Sequence, residues 1–296
     1  MTTTSPPSVP CRAPTARGLA PNWFAVVMGT GIVSAAAAGL PVTGAVARPV
    51  LDTAAVVVWV VSVVVLAAVA LGSTGGPDWR AHPVMAHFLG ARAMAPMSVA
   101  AATLLVGSRV VGDGPAYVAA LALWLIGTGL GVATATSRAI RAQRTGPAEA
   151  AWLMPVVPPM VSAAVGALLA VRSPEPLASA LVVASAACFA LTLVLAAGPA
   201  LAVVRRVAGG DVPASAPTLF IVLGPLGQSA TAVLLLAPGH PLAVAYAEAA
   251  LAAAAAWLAV AVTCVLRQRS AFAMTWWAFT FPVGTVVTGL SGLALT

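Results

Sequence analysis

An all-α polytopic membrane protein is the fold class this sequence predicts, on three observations. Hydrophobic residues make up 61% of the 296 and charged residues 7%, with a mean hydropathy of +1.02. No soluble domain of that size needs so much apolar surface, whereas a bundle of spans of about 20 residues each does. The apolar residues fall into nine long runs, and most arginines lie between them. The last run contains Trp276 to Gly284, WWAFTFPVG, with Pro and Gly inside it, and alternate earlier runs are punctuated in the same way. In a membrane a broken helix is tolerated only where it packs on protein or lines a polar cavity.

Residues 1–20 are rich in Ser, Thr and Pro and carry Arg12 and Arg17; they read as a disordered cytoplasmic tail. A cleaved signal peptide fits less well, because the first run is followed by eight more and lacks a small-residue cleavage site. Residues 21–296 then form the transmembrane domain. Its spans are expected near 22–40, 50–71, 83–107, 116–137, 151–171, 177–200, 216–237, 242–265 and 272–295. All 14 basic residues are Arg. With the N-terminus in the cytoplasm only Arg48, Arg109 and Arg172 fall outside, which satisfies the positive-inside rule. The net charge of +7 therefore reports topology: without a basic stripe, nucleic acid is not an expected partner. Cys11, Cys188 and Cys264 show no paired spacing, so neither a disulfide framework nor a metal site is indicated, and no cofactor is expected.

The odd spans differ in chemistry from the even ones. The first carries Gly29, Thr30, Gly31 and Ser34; the third Pro96 and Ser98; the fifth Pro158; the seventh Gly224, Pro225 and Gln228; the ninth Thr280, Phe281 and Gly284. The second, fourth and eighth spans lack internal Pro and are mostly Ala, Val and Leu. The odd spans are thus expected to line a path and the even ones to face lipid. All odd spans run in one direction, and their interruptions fall about 8 to 20 Å deep at 1.5 Å per residue. The bland alternative is that Pro and Gly only kink and pack these helices.

The lining offers hydroxyls and one amide but no Asp or Glu, whereas a cation path would show carboxylates. Helix fragments restarting after each break would point free N–H groups into the cavity and hold an anion without a fixed cation. Arg92 either attracts anions toward the path or snorkels at the cytoplasmic interface. His82 and His87 lie near the same mouth. Glu248, the one acid more than a turn inside a span, is a candidate proton site by default, against which stands its place on an outer helix. An enzyme would need a nucleophile with its base or a ligand cluster at one depth, and no such constellation, Walker A motif or dinucleotide fingerprint is present.

The segments PNWFAVVMGTGIVS (Pro21–Ser34), HPVMAHF (His82–Phe88), PVVPPM (Pro155–Met160), APTLFIVLGPLGQ (Ala216–Gln228) and WWAFTFPVG (Trp276–Gly284) resemble, in order, the tellurite-resistance/dicarboxylate transporter family. That family includes malate permeases, sulfite efflux pumps, tellurite-resistance proteins and slow anion channels. The resemblance implies quasi-symmetric helical hairpins, inner kinked helices around a pore, often a homotrimer, and a pore-obstructing Phe on the ninth helix. The matching residue is Phe281, with Phe279 as the other candidate. Family members have ten spans where nine are seen here.

The resulting expectation is a plasma-membrane anion permease, facilitative or channel-like. Its partners would be the lipid bilayer and a small anionic substrate, foremost a C4-dicarboxylate such as malate. The alternatives are efflux of sulfite or another oxyanion, including tellurite resistance, and an inactive truncated member or accessory membrane protein.

Overall fold

The computed structural model describes residues 18–74, 76–269 and 276–296. The 1–17 part of the expected tail lies outside the described residues. Helices occupy all nine expected runs: α1 (Phe24–Gly39), α2 (Ala47–Gly72), α3 (Met85–Ala102), α4 (Asp113–Thr136), α5 (Pro158–Ala170), α6 (Leu177–Ala208), α7 (Leu223–Leu236), α8 (Pro241–Gln268) and α9 (Trp277–Leu293). Among the described residues seven helical stretches are long and apolar enough to cross a membrane; α5 and α9 are shorter. No strand occurs among the described residues.

The odd helices close a ring. α1 packs on α3, α3 on α5, α5 on α7, α7 on α9 and α9 back on α1. The even helices lie outside it: α2 on α1, α4 on α3 and α5, α6 on α5, α8 on α7. Burial follows the same division. The first, third and seventh spans are 56–67% buried and the even ones 22–33%, so the even helices present the apolar surface that a bilayer covers.

The interruptions of the odd helices are not uniform, which corrects the expectation of five similar breaks. α1 runs unbroken through Gly29 and Gly31, and α3 and α9 carry Pro96 and Pro282 inside continuous helix. There each Pro removes one backbone hydrogen bond without starting a new helix. The third span departs from α geometry two turns later, in a π turn at Thr103–Gly107. In the fifth, a 3-10 turn (Ala150–Leu153) and a buried bend precede Pro158, which takes the favoured first position of α5. The seventh opens as a 3-10 helix, Ala216–Val222, that continues into α7.

Non-helical backbone at this depth must be covered by protein. Leu153 to Val157 are buried, and the bend presses on Gly90 of α3: a Cβ there would run into the Met154 carbonyl oxygen and stand 3.0 Å from Pro155 Cα. These regions also receive hydrogen bonds from neighbouring elements. Arg172 donates to the Leu104 carbonyl in the π turn, and Trp59 Nε1 of α2 donates to Thr103 Oγ1 at 3.0 Å. Trp124 Nε1 of α4 reaches the Ser162 carbonyl and Trp257 Nε1 of α8 the Leu219 carbonyl, both at 2.9 Å. Outer-helix tryptophans thus hydrogen-bond the irregular turns of the third and seventh spans and the early turns of α5.

Candidate functional site

A cavity of about 340 Å³ lies within the ring, and every odd span contributes to it. Ile32, Ala35 and Gly39 come from α1, Ala101 and Leu105 from the third span, Ala164, Val165 and Leu168 from α5. α7 supplies Gln228, Thr231, Leu234 and Leu235, and the ninth span Thr288, Ser291, Gly292, Leu295 and Thr296. No even helix reaches it. These residues belong to the later halves of the odd helices, so the cavity opens where those helices end. Its wall is mostly apolar, its polar atoms are hydroxyls and the Gln228 amide, and no charged side chain lines it.

Gln228 is 4% exposed, and its amide makes no hydrogen bond among the described residues. The hydroxyls are partly committed. Thr288 Oγ1 donates to the Thr285 carbonyl at 2.9 Å and Thr231 Oγ1 to the Gly227 carbonyl at 3.2 Å, and the two oxygens stand 3.1 Å apart across α7 and α9.

Phe281 lies two helical turns before Thr288, about 10 Å along α9, and is 2% exposed. It therefore sits below the cavity, toward the side where the odd helices begin. Phe279 is different: it is 40% exposed and packs edge-on against Phe220 with ring centroids 6.0 Å apart. Around Phe281 the helices approach closely. A Cβ on Gly284 would stand 2.7 Å from Ile32 Cγ2, one on Gly29 3.3 Å from the Thr280 side chain, and one on Gly227 2.6 Å from Thr285 Oγ1. The nearest neighbour to a Cβ on Gly224 would be Pro282 Cγ, at 3.9 Å.

The sequence candidates separate accordingly. Gln228 lines the cavity directly. Gly29, Gly31, Gly224 and Gly284 instead close the ring beneath it, with Pro225 and Thr280 half-buried and Pro96 buried in the same packing. Thr30 turns its hydroxyl back to the Val26 and Val27 carbonyls. Three other candidates make their contacts away from the cavity. Ser34 faces outward and donates to the Ala55 carbonyl of α2 at 2.9 Å; Ser98 donates to the Met28 carbonyl of α1 at 2.8 Å; Pro158 packs on Gly131 of α4. Each ties one helix to another and contributes no atom to the cavity wall.

Arg92 sits seven residues into α3 but on its exposed outer face, away from the ring. Glu248, seven residues into α8, is also exposed on an outer face. His82 caps α3, its Nδ1 accepting from the backbone N–H groups of Val84 and Met85 at 3.2 and 3.1 Å. His87 is buried with its Nδ1 unpartnered. The sequence reading missed Ser291 and the apolar wall of Ile32, Leu168 and Leu235, because aliphatic residues in a wholly apolar span carry no mark of the direction they face.

A family model described as voltage-dependent anion channel matches residues 18–295, nearly the whole chain. The chain belongs to the voltage-dependent anion channel family. This is the family that the motifs from Pro21 to Gly284 resemble. A search of curated proteins finds no match. As a member, the chain is a multi-pass membrane protein that transports anions through a channel-like pore.

Proposed function

We propose that the chain is a facilitative anion permease of the plasma membrane, with its N-terminus in the cytoplasm and a C4-dicarboxylate such as malate as its substrate. The observation that carries this reading is a cavity lined by all five odd helices and by no charged side chain, with Phe281 buried two turns before Thr288 on the same face of α9. An anion entering from the open side meets the Gln228 amide and the Ser291 hydroxyl, and the Thr231 and Thr288 hydroxyls donate to it by turning from their own helices' carbonyls, an exchange that keeps binding weak enough for release. Phe281 occludes the continuation of the path, and its displacement opens it. The orientation rests on the distribution of the 14 arginines.

The test is anion flux in proteoliposomes holding the purified chain at a clamped potential, with malate, sulfite, nitrate and chloride offered in turn. Malate flux that follows its gradient without a pH requirement supports the reading. Sulfite flux without malate flux replaces the substrate with an oxyanion, and no flux of any anion removes the permease assignment.

A further inference from the structure

Outside the ring, at the end where the odd helices begin, a second cavity of about 210 Å³ lies between the loop before α3, α3 itself and α4. Two guanidinium groups line it, Arg80 from a 3-10 turn and Arg92 from α3. Both residues are exposed, and neither side chain makes an ion pair or hydrogen bond among the described residues. Other arginines of the chain are neutralised by acids. Arg48 and Arg109 share Asp52, and Arg206 holds Glu149 and Asp211. The one acid at the second cavity, Asp78, accepts a 3.0 Å hydrogen bond from the Arg80 backbone N–H and so caps its own turn. Two cations against one carboxylate leave the pocket net positive.

The rest of the wall is that of a membrane border. Trp79, Leu89 and Leu130 are apolar, Leu130 is itself exposed on the outer face of α4, and Thr134 and Ser137 add hydroxyls. Arg92 lies about 10 Å along α3, deep enough that its charge needs an anion or a route to water. Snorkelling alone would satisfy Arg92, but it would not bring Arg80 and two hydroxyls to the same pocket.

We propose that this pocket binds a phosphate group at the membrane border, either the phosphodiester of an acidic phospholipid or a free phosphate. The planar guanidinium fork matches phosphate oxygens in a two-pronged way. Basic pockets between transmembrane helices take acidic lipid headgroups for this reason. The exposed Leu130 beside the charges offers a surface for an acyl chain. The site is separate from the transport path.

The test uses the full chain purified in a neutral detergent, with phosphatidylglycerol, phosphatidylcholine and inorganic phosphate titrated separately and binding read by native mass spectrometry and by Tm. Retention of phosphatidylglycerol over phosphatidylcholine, weakened about fivefold by Arg80→Gln and again by Arg92→Gln, assigns the site to lipid. Inorganic phosphate binding with the same dependence on both arginines, and no preference between the lipids, assigns it to a soluble phosphate. Absence of both kinds of binding overturns the proposal. So does an equal loss in Arg138→Gln, which removes a nearby exposed charge that does not line the pocket. Arg92→Lys and Arg80→Lys keep the charge and separate binding from folding; if Arg92→Gln does not fold, Arg80→Gln on the exposed turn decides alone.

Discussion

The Ser98 hydroxyl donates to the Met28 carbonyl at 2.8 Å, and Gly31, one turn further along α1, is what lets α3 come that close. A Cβ on Gly31 would run into Ser98 Oγ and stand 3.0 Å from the Ser98 carbonyl carbon. The hydroxyl could yield only by giving up its bond to Met28, and the Ser98 backbone stands directly behind it. Gly31→Ala is expected to destabilise the chain by about 1 to 3 kcal/mol, as overpacking does. Thermal unfolding in detergent measures it. An unchanged Tm would mean that α1 and α3 have room to slide.

Phe281 and Phe279 separate packing from obstruction. Phe281→Ala is expected to raise basal anion flux about tenfold, equivalent to removing about 1.4 kcal/mol from a barrier. Phe279→Ala, on the exposed side of α9, should leave flux unchanged. Phe281→Ala also empties a buried site, so its Tm must be read alongside; a folded variant with ordinary flux would remove the occluding role.

Gln228 is the polar group whose change should speak most directly about charge. Gln228→Glu adds an anion to an otherwise uncharged cavity, and two like charges about 4 Å apart repel by about 4 kcal/mol at the effective dielectric of a protein surface. Flux of malate at neutral pH should fall at least about tenfold and recover in part as acid protonates the new carboxyl. Gln228→Leu should reduce flux far less. Equal effects from the two variants would point to shape rather than electrostatics.

Ser34 offers the complementary control. It is buried, but it bonds the Ala55 carbonyl of α2 and not the cavity. Ser34→Ala should cost about 1 kcal/mol of stability, as one lost hydrogen bond does, with transport intact. A selective loss of flux at unchanged Tm would return Ser34 to the path.

The ring of odd helices was legible in the sequence because Pro, Gly and hydroxyl residues are costly on a lipid-facing helix and so collect on the enclosed ones. The rotation of each helix was not. In a soluble helix a polar stripe marks the outer face, but in α1 and α3 apolar residues surround the axis and the phase is silent. Ser34 and Ser98 therefore looked like lining and proved to be ties, while Arg92 proved to lie on the outer face of α3. The glycines misled in a related way. Gly29, Gly31 and Gly284 mark close approach of helices, and a close approach and a break carry the same residue types. What no residue announced is the indole bonding of Trp59, Trp124 and Trp257, since a Trp within a span gives no sign of which carbonyl or hydroxyl it will meet.

The π turn at Thr103–Gly107 acts as a phase shifter in the third span. One additional residue per turn offsets everything after it by about 100° relative to an uninterrupted α-helix. That offset sets which side chains the far end of the span turns toward the cavity, and within the turn the Leu104 carbonyl accepts from Arg172. Register here is a matter of counting: a one-residue deletion within 103–107 would restore plain α-helix, swing Ser108 and Arg109 to new bearings, and separate Arg109 from Asp52 without altering the identity of either.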